Sequence, residues 1–535
     1  MPQPVAVQHA KGLFPTRYSG SRLIMQLLLS LVILLAGSLA VEADPDTLWV
    51  NTTWVAHSDV ELINSLVVAP NATLTIERGS TIRLGNSTEI LVLGGLMALG
   101  TAGEPIEFTR LYSHLPWQTI AADDPTGDFV FDHCIIHGGQ GIDWGWVDRG
   151  MLGIRYGSIT IINCEIYDGL QCALLAVGAG LSLQNNHIHN IGDVGCSIRY
   201  WCYGYIVGNT IHDMIDDGLN IDGSDIHVLD NRVYNTYDDG IDCDGSTGLV
   251  ARNIVSGAGD CGMTFAGDES GLRLENNLIY DSTKGMEIKQ SSNITIINTT
   301  IADNGIGIRL YENAPGNGGG IGVLRNTILW GNTTSYTLDE YSDLFAVFCD
   351  IQGDTLQAGA GNINADPLFA NPESGVFKLL NYSPCIDAGV SGDSPVTDIE
   401  GHARWDNPNV PNTGSGTYTY YDIGCHEFQP GSSDAPAPEG RQTRLHLGHP
   451  SPNPFHRQAL VSLDLPVGMR LDAFIVDPSG RRIRSLGSEL YPAGSVRWVW
   501  DGRNASGARV SSGRYHLVVR TEDGISLSRS LLYLR

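Results

Sequence analysis

The sequence predicts an all-β chain: a long solenoid of short parallel strands, then a small β-sandwich. Three observations predict it. Gly is abundant, at 64 of 535 residues, while charged residues make up only 17%, which favours turns and strands over helical bundles. From about Leu48 onward, short β-branched runs are separated by Gly, Asn and Asp, the pattern of half-buried strands between tight turns. The triplet Asp216-Asp217-Gly218 returns as Asp238-Asp239-Gly240 and, degenerate, as Asp260-Cys261-Gly262, each time 22 residues on. A fixed period of this size means stacked supersecondary units.

At the N-terminus, Lys11, Arg17 and Arg22 precede an almost wholly apolar stretch from Leu23 to Ala40, and Val41-Glu42-Ala43 offers small residues for cleavage. This reads as a signal peptide over 1–43 of a secreted, cell-surface protein. The alternative is a single membrane anchor, for which the stretch is nearly long enough. Ten cysteines in an exported chain allow five disulfides; the other reading is small hydrophobes buried in the coil interior. No pair has the CxxC spacing of a zinc site.

The body, 44–428, begins with Val67-Val68, Leu74-Thr75-Ile76, Thr81-Ile82-Arg83-Leu84 and Ile90-Leu91-Val92-Leu93. Further on, an Asn followed closely by an aliphatic residue recurs at Asn186, Asn209, Asn231, Asn253 and Asn326, with first spacings of 23, 22 and 22 residues. A coil of that length has room for three short strands and three turns. Asn suits such turns because it tolerates left-handed backbone, and Asn side chains stacked in register can bond to one another. The pattern resembles the right-handed parallel β-helix proteins over roughly 48–428. Ser383-Pro384-Cys385-Ile386-Asp387-Ala388-Gly389 and Asp422-Ile423-Gly424-Cys425-His426-Glu427 resemble the closing segment of exported bacterial β-helices, which would cap the open end and stop edge pairing.

Residues 429–447, rich in Pro, Ser, Ala and Gly at their start, read as a linker. Beyond it, 448–535 show alternating strands at 459–465, 472–476, 496–500, 515–520 and 527–534, with turns at Pro478-Ser479-Gly480 and Asp501-Gly502. Ser451-Pro452-Asn453-Pro454-Phe455, Trp500-Asp501-Gly502 and Ser512-Gly513-Arg514-Tyr515 resemble the immunoglobulin-like tail of type IX secretion sorting domains and flagellar hook-capping proteins. That resemblance implies outer-membrane secretion machinery as a partner; a generic adhesive or spacer sandwich is the alternative.

Charge is unevenly placed. Residues 441–535 hold 14 Arg, no Lys and 7 acidic residues, a net of +7 within a chain of −27, so the remainder carries −34. Such a body excludes nucleic acid as a partner, since phosphate binding needs clustered Lys and Arg. A monomer is expected.

Stacked carboxylates carry the chemistry. Neighbouring strands sit about 4.8 Å apart, where two carboxylates repel by roughly 3–4 kcal/mol at an effective dielectric near 20. A hard divalent cation removes that repulsion, and Ca2+ takes about 6–8 oxygens. Asp217, Asp238, Asp239 and Asp242 are the candidate ligands. Asp238-Asp239-Gly240-Ile241-Asp242, with Asp217-Gly218 one coil before, resembles the calcium motif of family-nine polysaccharide lyases. Thr283-Lys284-Gly285 matches that family's catalytic lysine. The resemblance implies Ca2+ as cofactor, Lys284 as base with a pKa lowered by burial or nearby cations, and β-elimination on an acidic polysaccharide such as pectate. Arg309, one coil beyond Lys284, is the candidate for substrate carboxylates.

Tyr200, Trp201, Tyr203 and Tyr205, extended by Trp144 and Trp146, form a candidate sugar-stacking platform; packing within the strands is the other reading. His187, His189 and His212 recur near coil positions, though no ligand spacing singles them out. Two functions stay open: a calcium-dependent lyase, or a non-catalytic surface protein that binds glycans or builds the cell envelope.

Overall fold

The computed structural model describes residues 45–141, 150–267, 272–353, 359–429, 446–447, 450, 455–465, 469–477, 481–491, 494–521 and 526–535. The expected signal peptide over 1–43, most of the expected linker, Trp144, Trp146, the stretch 451–454 and the expected turn at 478–480 lie outside the described residues. Among the described residues no helix is long and apolar enough to cross a membrane.

Thirteen right-handed coils build the body. Each coil contributes one strand to each of three parallel sheets of thirteen strands. Cys196–Arg199 (first sheet), Tyr203–Val207 (second) and Thr210–Met214 (third) make one such coil. The alternation read from the sequence is the reason: along Thr81–Leu84 buried and half-exposed side chains alternate, and the inward Ile, Leu, Val and Phe of every coil merge into one core. All ten cysteines are buried, and burial pushes the thiols of Cys196, Cys349 and Cys425 up to about 12. They pack as small hydrophobes.

Two columns of stacked residues hold the register. The first lies at the turn from the second sheet to the third. Asn186 Nδ2 donates to Asn209 Oδ1 (2.9 Å), Asn209 to Asn231 (2.9 Å), Asn231 to Asn253 (3.0 Å) and Asn253 to Asn277 (3.1 Å). Each acceptor oxygen also takes the backbone N–H of the Asn that donates to it. The left-handed backbone expected of these residues falls one position earlier, at Asn185, Gly208, Asp230, Arg252 and Asn276. Asn326 is itself such a left-handed residue (φ 49°), and Thr327 follows it in the ladder position. A ladder residue must aim its side chain along the stack, so the turn is made by its neighbour.

The second column lies at the turn from the third sheet to the first. Gly195, Gly218, Gly240, Gly262, Gly285 and Gly307 stack so closely that a Cβ on any of them would fall 2.3–2.7 Å from a carbonyl oxygen of the next coil. Only glycine fits there.

The closing segment does more than cap the end. Phe369–Asn371 and Val376–Leu379 pair antiparallel. Phe377, Ile399 and Cys425 pack on Leu278 and Ala302, and Ile386, Ile423 and Phe428 on Ile328. These partners occupy outward positions of the third sheet, so the segment runs back along the flank of the last coils. Its own core holds a buried Arg404–Glu427 pair at 2.8 Å.

In the C-terminal module, His446–Leu447, Ala459–Leu465 and Gly494–Trp500 form one sheet. Met469–Val476, Arg482–Tyr491, Gly513–Thr521 and Ser526–Tyr533 form the other. Phe455, Trp498, Trp500, Leu517 and Tyr533 fill the space between. Arg482–Tyr491 escaped the sequence reading. It is an edge strand whose pairing shifts register at Ala473/Phe474 and Ile475/Val476, which breaks the two-residue period.

Candidate functional site

The glycine column positions the acidic one. Each stacked glycine is preceded by two residues that the turn brings to the start of a first-sheet strand, so Asp216, Asp238 and Asp260 form one row and Asp217, Asp239, Cys261 and Lys284 the next. Asp217 Oδ1 accepts the backbone N–H of Asp239 (2.9 Å), and Asp239 Oδ1 accepts that of Cys261 (3.0 Å). Asn220 Nδ2 donates to the other Asp217 oxygen at 3.1 Å. As in the asparagine ladder, a side-chain oxygen accepts the backbone N–H of the equivalent residue one coil away; here the acceptor is a carboxylate and lies on the preceding coil rather than the following one.

Carboxyl oxygens of Asp216, Asp217 and Asp238 lie within 4.8 Å of one another, as do those of Asp238, Asp239 and Asp260. Asp238 is common to both triads. Three of the four residues expected as calcium ligands are thus brought together. Asp242 sits three residues beyond Asp239, in the row Asn220, Asp242, Thr264, where its charge acts on Asp217. Asp216 and Asp260 are not among the ligands expected from the sequence, although their 22-residue spacing from Asp238 is the signal that places them. Burial, reinforced by the charge of Asp242, pushes the Asp217 carboxyl up to about 8. Burial likewise raises Asp239 to about 8 and Asp242 to about 7. Asp238 is raised by burial and by the charges of Asp260 and Asp216.

Two coils on, Glu287 is the hub of a second network. Its side chain is only 3% exposed. Lys284 Nζ lies 2.7 Å from Glu287 Oε1, Arg309 Nη1 donates to the same oxygen at 3.1 Å, and Tyr311 OH donates to Oε2 at 3.2 Å. Lys289 Nζ lies 3.8 Å from Oε2, and the Arg309 guanidinium covers the Tyr311 ring at 3.9 Å. Burial alone would raise Glu287, but the Lys284 hydrogen bond and the three cations hold it below the usual carboxylate range. The sequence gives no periodic hint of this hub, because a lone Glu on a strand reads as solvated.

Lys284 is also 2.8 Å from Asp260 Oδ1. Here the structure corrects an expectation. Burial by itself would lower the ammonium pKa, but hydrogen bonds to Asp260 and Glu287 outweigh it, and the net shift is upward. Lys284 is therefore a protonated cation tying the acidic rows to the Glu287 hub. Arg309 meets it across Glu287. Tyr203 and Tyr205 stand on the second sheet, half exposed, and Tyr205 stacks on His227 at 5.2 Å; they do not share the first-sheet surface of Lys284. Trp201, at the turn between those sheets, is 80% exposed.

Residues 202–342 match the family described as right handed beta helix region. They contain Asp216, Asp217, Asp238, Asp239, Asp242, Asp260, Lys284 and Lys289. Residues 469–524 match the FlgD Ig-like domain. Comparison with curated protein sequences returns no significant match. Among solved structures, the chain is similar to the periplasmic alginate epimerase AlgG (12% identity, 54% of this chain and 76% of that one, TM-score 0.43). It is similar to the pectate lyase Pel9A (16% identity, 68% and 89%, TM-score 0.39). It is also similar to the A-module of the Azotobacter vinelandii mannuronan C-5 epimerase AlgE4 (12% identity, 55% and 90%, TM-score 0.37). At these values the likeness carries no argument about activity.

Proposed function

We propose that the first-sheet surface from Asp216 to Tyr311 is a calcium-dependent site for an acidic polysaccharide on an exported protein, and that it acts by β-elimination. One observation supports this above the others. The chain builds its other ladder from asparagine, yet at Asp217 and Asp239 the side chains that accept a backbone N–H from the adjacent coil are carboxylates. Asparagine would accept it without charge repulsion. Carboxylates stacked at about 4.8 Å are sensible where a divalent cation neutralises them, and the two triads sharing Asp238 offer the oxygens.

The chemistry follows from the residues. When bound, Ca2+ would supply a positive charge for the uronate carboxylate and acidify the carbon-bound proton beside it. Arg309 and Lys289 flank Glu287 and offer further cations for polymer carboxylates. Lys284 takes the proton once it is neutral, and the glycosidic oxygen leaves. Asp260 belongs both to a cation triad and to Lys284. With Asp260 serving as a cation ligand, Lys284 would keep only its bond to Glu287, and its pKa would be lower.

The test is formation of unsaturated uronate, followed by ultraviolet absorbance, on a panel of polyuronates with calcium. Lys284→Ala should abolish it; a wild type that yields no such product on any polymer sinks the lyase reading. The second reading, binding without catalysis, draws on the double carboxylate grip on Lys284. It predicts calcium-dependent retention of polyuronate that survives Lys284→Ala.

A further inference from the structure

The third sheet carries a column of stacked rings on its outer face. His137, Tyr167, His189, His212 and Tyr234 follow one another at centroid separations of 4.7, 5.2, 5.2 and 4.5 Å, with planes within 8°. The strand register sets the column: His137 pairs with Tyr167, Tyr167 with His189, His189 with His212 and His212 with Tyr234. Two residues earlier on the same strands a second outward row passes through Glu165 and His187, which also pair directly. The two rows meet around one point. Glu165 Oε1 lies 3.2 Å from His189 Nε2 and 3.8 Å from His187 Nδ1.

We propose that Glu165, His187 and His189 bind a divalent transition metal of the zinc class, with His212 and Asp213 orienting the ligands. Zn2+ bonds imidazole nitrogen and carboxylate oxygen at about 2.0–2.2 Å, so tetrahedral ligands stand roughly 3.3 Å apart. The observed 3.2 and 3.8 Å need little adjustment. Two nitrogens and one carboxylate suit zinc, nickel or copper, whereas calcium prefers an all-oxygen shell.

A relay behind the ligands decides which nitrogen is free. Asp213 Oδ2 lies 2.9 Å from His212 Nδ1 and takes its N–H, which leaves His212 Nε2 as an acceptor. His187 Nε2 is 2.7 Å from that atom and donates to it. The His187 lone pair then sits on Nδ1, facing Glu165. Such carboxylate–histidine–metal chains orient ligands in metal sites generally. Asn235 Nδ2 in turn donates to Asp213 at 3.3 Å. His189 Nδ1 has the Asn190 side-chain amide at 3.0 Å; with its oxygen presented, that amide accepts the N–H and frees Nε2. His187 and Glu165 are 45% and 41% exposed, so an ion has a way in, while His189 is held at 14%. The site ties neighbouring coils together and lies on a different sheet from the acidic rows.

The test uses the metal-stripped full chain in excess calcium, titrated with zinc against a chromophoric chelator. One Zn2+ per chain is expected. His187→Ala, at an exposed position that leaves the core alone, should weaken binding by more than ~100-fold, and Asp213→Asn, which touches only the relay, by about 10-fold. Circular dichroism unchanged from wild type keeps the comparison fair. Absence of stoichiometric zinc, or zinc affinity unchanged in His187→Ala, overturns the proposal.

Discussion

Replacing Asp239 by asparagine separates the two roles of the acidic ladder. The amide side chain introduced by Asp239→Asn keeps an oxygen for the Cys261 N–H, which Asp239 Oδ1 accepts at 3.0 Å, so the backbone contact survives. Only the charge goes. The Asp239 carboxyl stands at about 8 in the fold against an ordinary value near 4. Between pH 4 and 7 about three units of that rise are realised, and at 1.36 kcal/mol per unit the folded state without a cation carries a cost of ~4 kcal/mol. Asp217 and Asp242 titrate beside it and share the proton, so ~2–4 kcal/mol is the expected gain from the substitution. The assay is chemical denaturation of the full chain at pH 7.5, with chelator and with millimolar calcium, comparing midpoints of the transition that reports the body. In chelator Asp239→Asn should be the more stable protein. In calcium the wild type should recover most of the difference while the variant responds weakly. A variant less stable than wild type in chelator would refute the charge argument. A wild type indifferent to calcium would refute the cation.

The same carboxyls set a pH dependence. Asp217, Asp239 and Asp242 have folded pKa values raised to about 8, 8 and 7, so their contribution is fully present below the unfolded value near 4 and is lost as pH rises towards 8; thermal melts in chelator should fall across that window, and melts that rise across it would contradict the burial of these groups. Asp260→Asn removes one of the two carboxylates holding Lys284 and should lower the lysine pKa, moving the ascending limb of any lyase pH–rate profile, on which the lysine becomes neutral, to lower pH. Gly262→Ala would put a Cβ 2.5 Å from Ile279 Cγ2 and 2.7 Å from the Gly285 carbonyl oxygen; an overpacking loss of about 1–3 kcal/mol or more is expected, read as a lower denaturation midpoint, with Cys261→Ala at the preceding position as the milder control.

Much of this was legible because a solenoid writes its geometry into a period. A 22-residue step in Asn or Asp becomes a vertical neighbour, so the asparagine ladder and the proximity of Asp217, Asp238 and Asp239 follow from counting. Residues that interact along a strand or across unequal offsets do not announce themselves. Glu287 collects Lys284 three positions back, Arg309 22 on and Tyr311 24 on, a set with no common period. Asp260 looked degenerate because Cys261 follows it, yet its own row was intact. The upward shift of Lys284 was hidden for the same reason: burial was foreseeable from the strand, and the partners that reverse its effect were not. The edge strand Arg482–Tyr491 lost its alternation to bulges, and the closing segment lies along a flank whose outward Ile and Leu read as ordinary strand residues.

The glycine column has a consequence for how such a surface changes over time. Because Gly195 to Gly307 set the close approach of successive coils, the residue just before each glycine is not bound by that steric limit. Val194, Asp217, Asp239, Cys261, Lys284 and Ile306 occupy that one position in six consecutive coils: two apolar side chains, two acids, a thiol and a base. The solenoid thus works as an addressable strip, with one interchangeable slot per coil at a pitch of about 4.8 Å. A single base change can rewrite the chemistry of a slot while the glycine beside it keeps the strip in register.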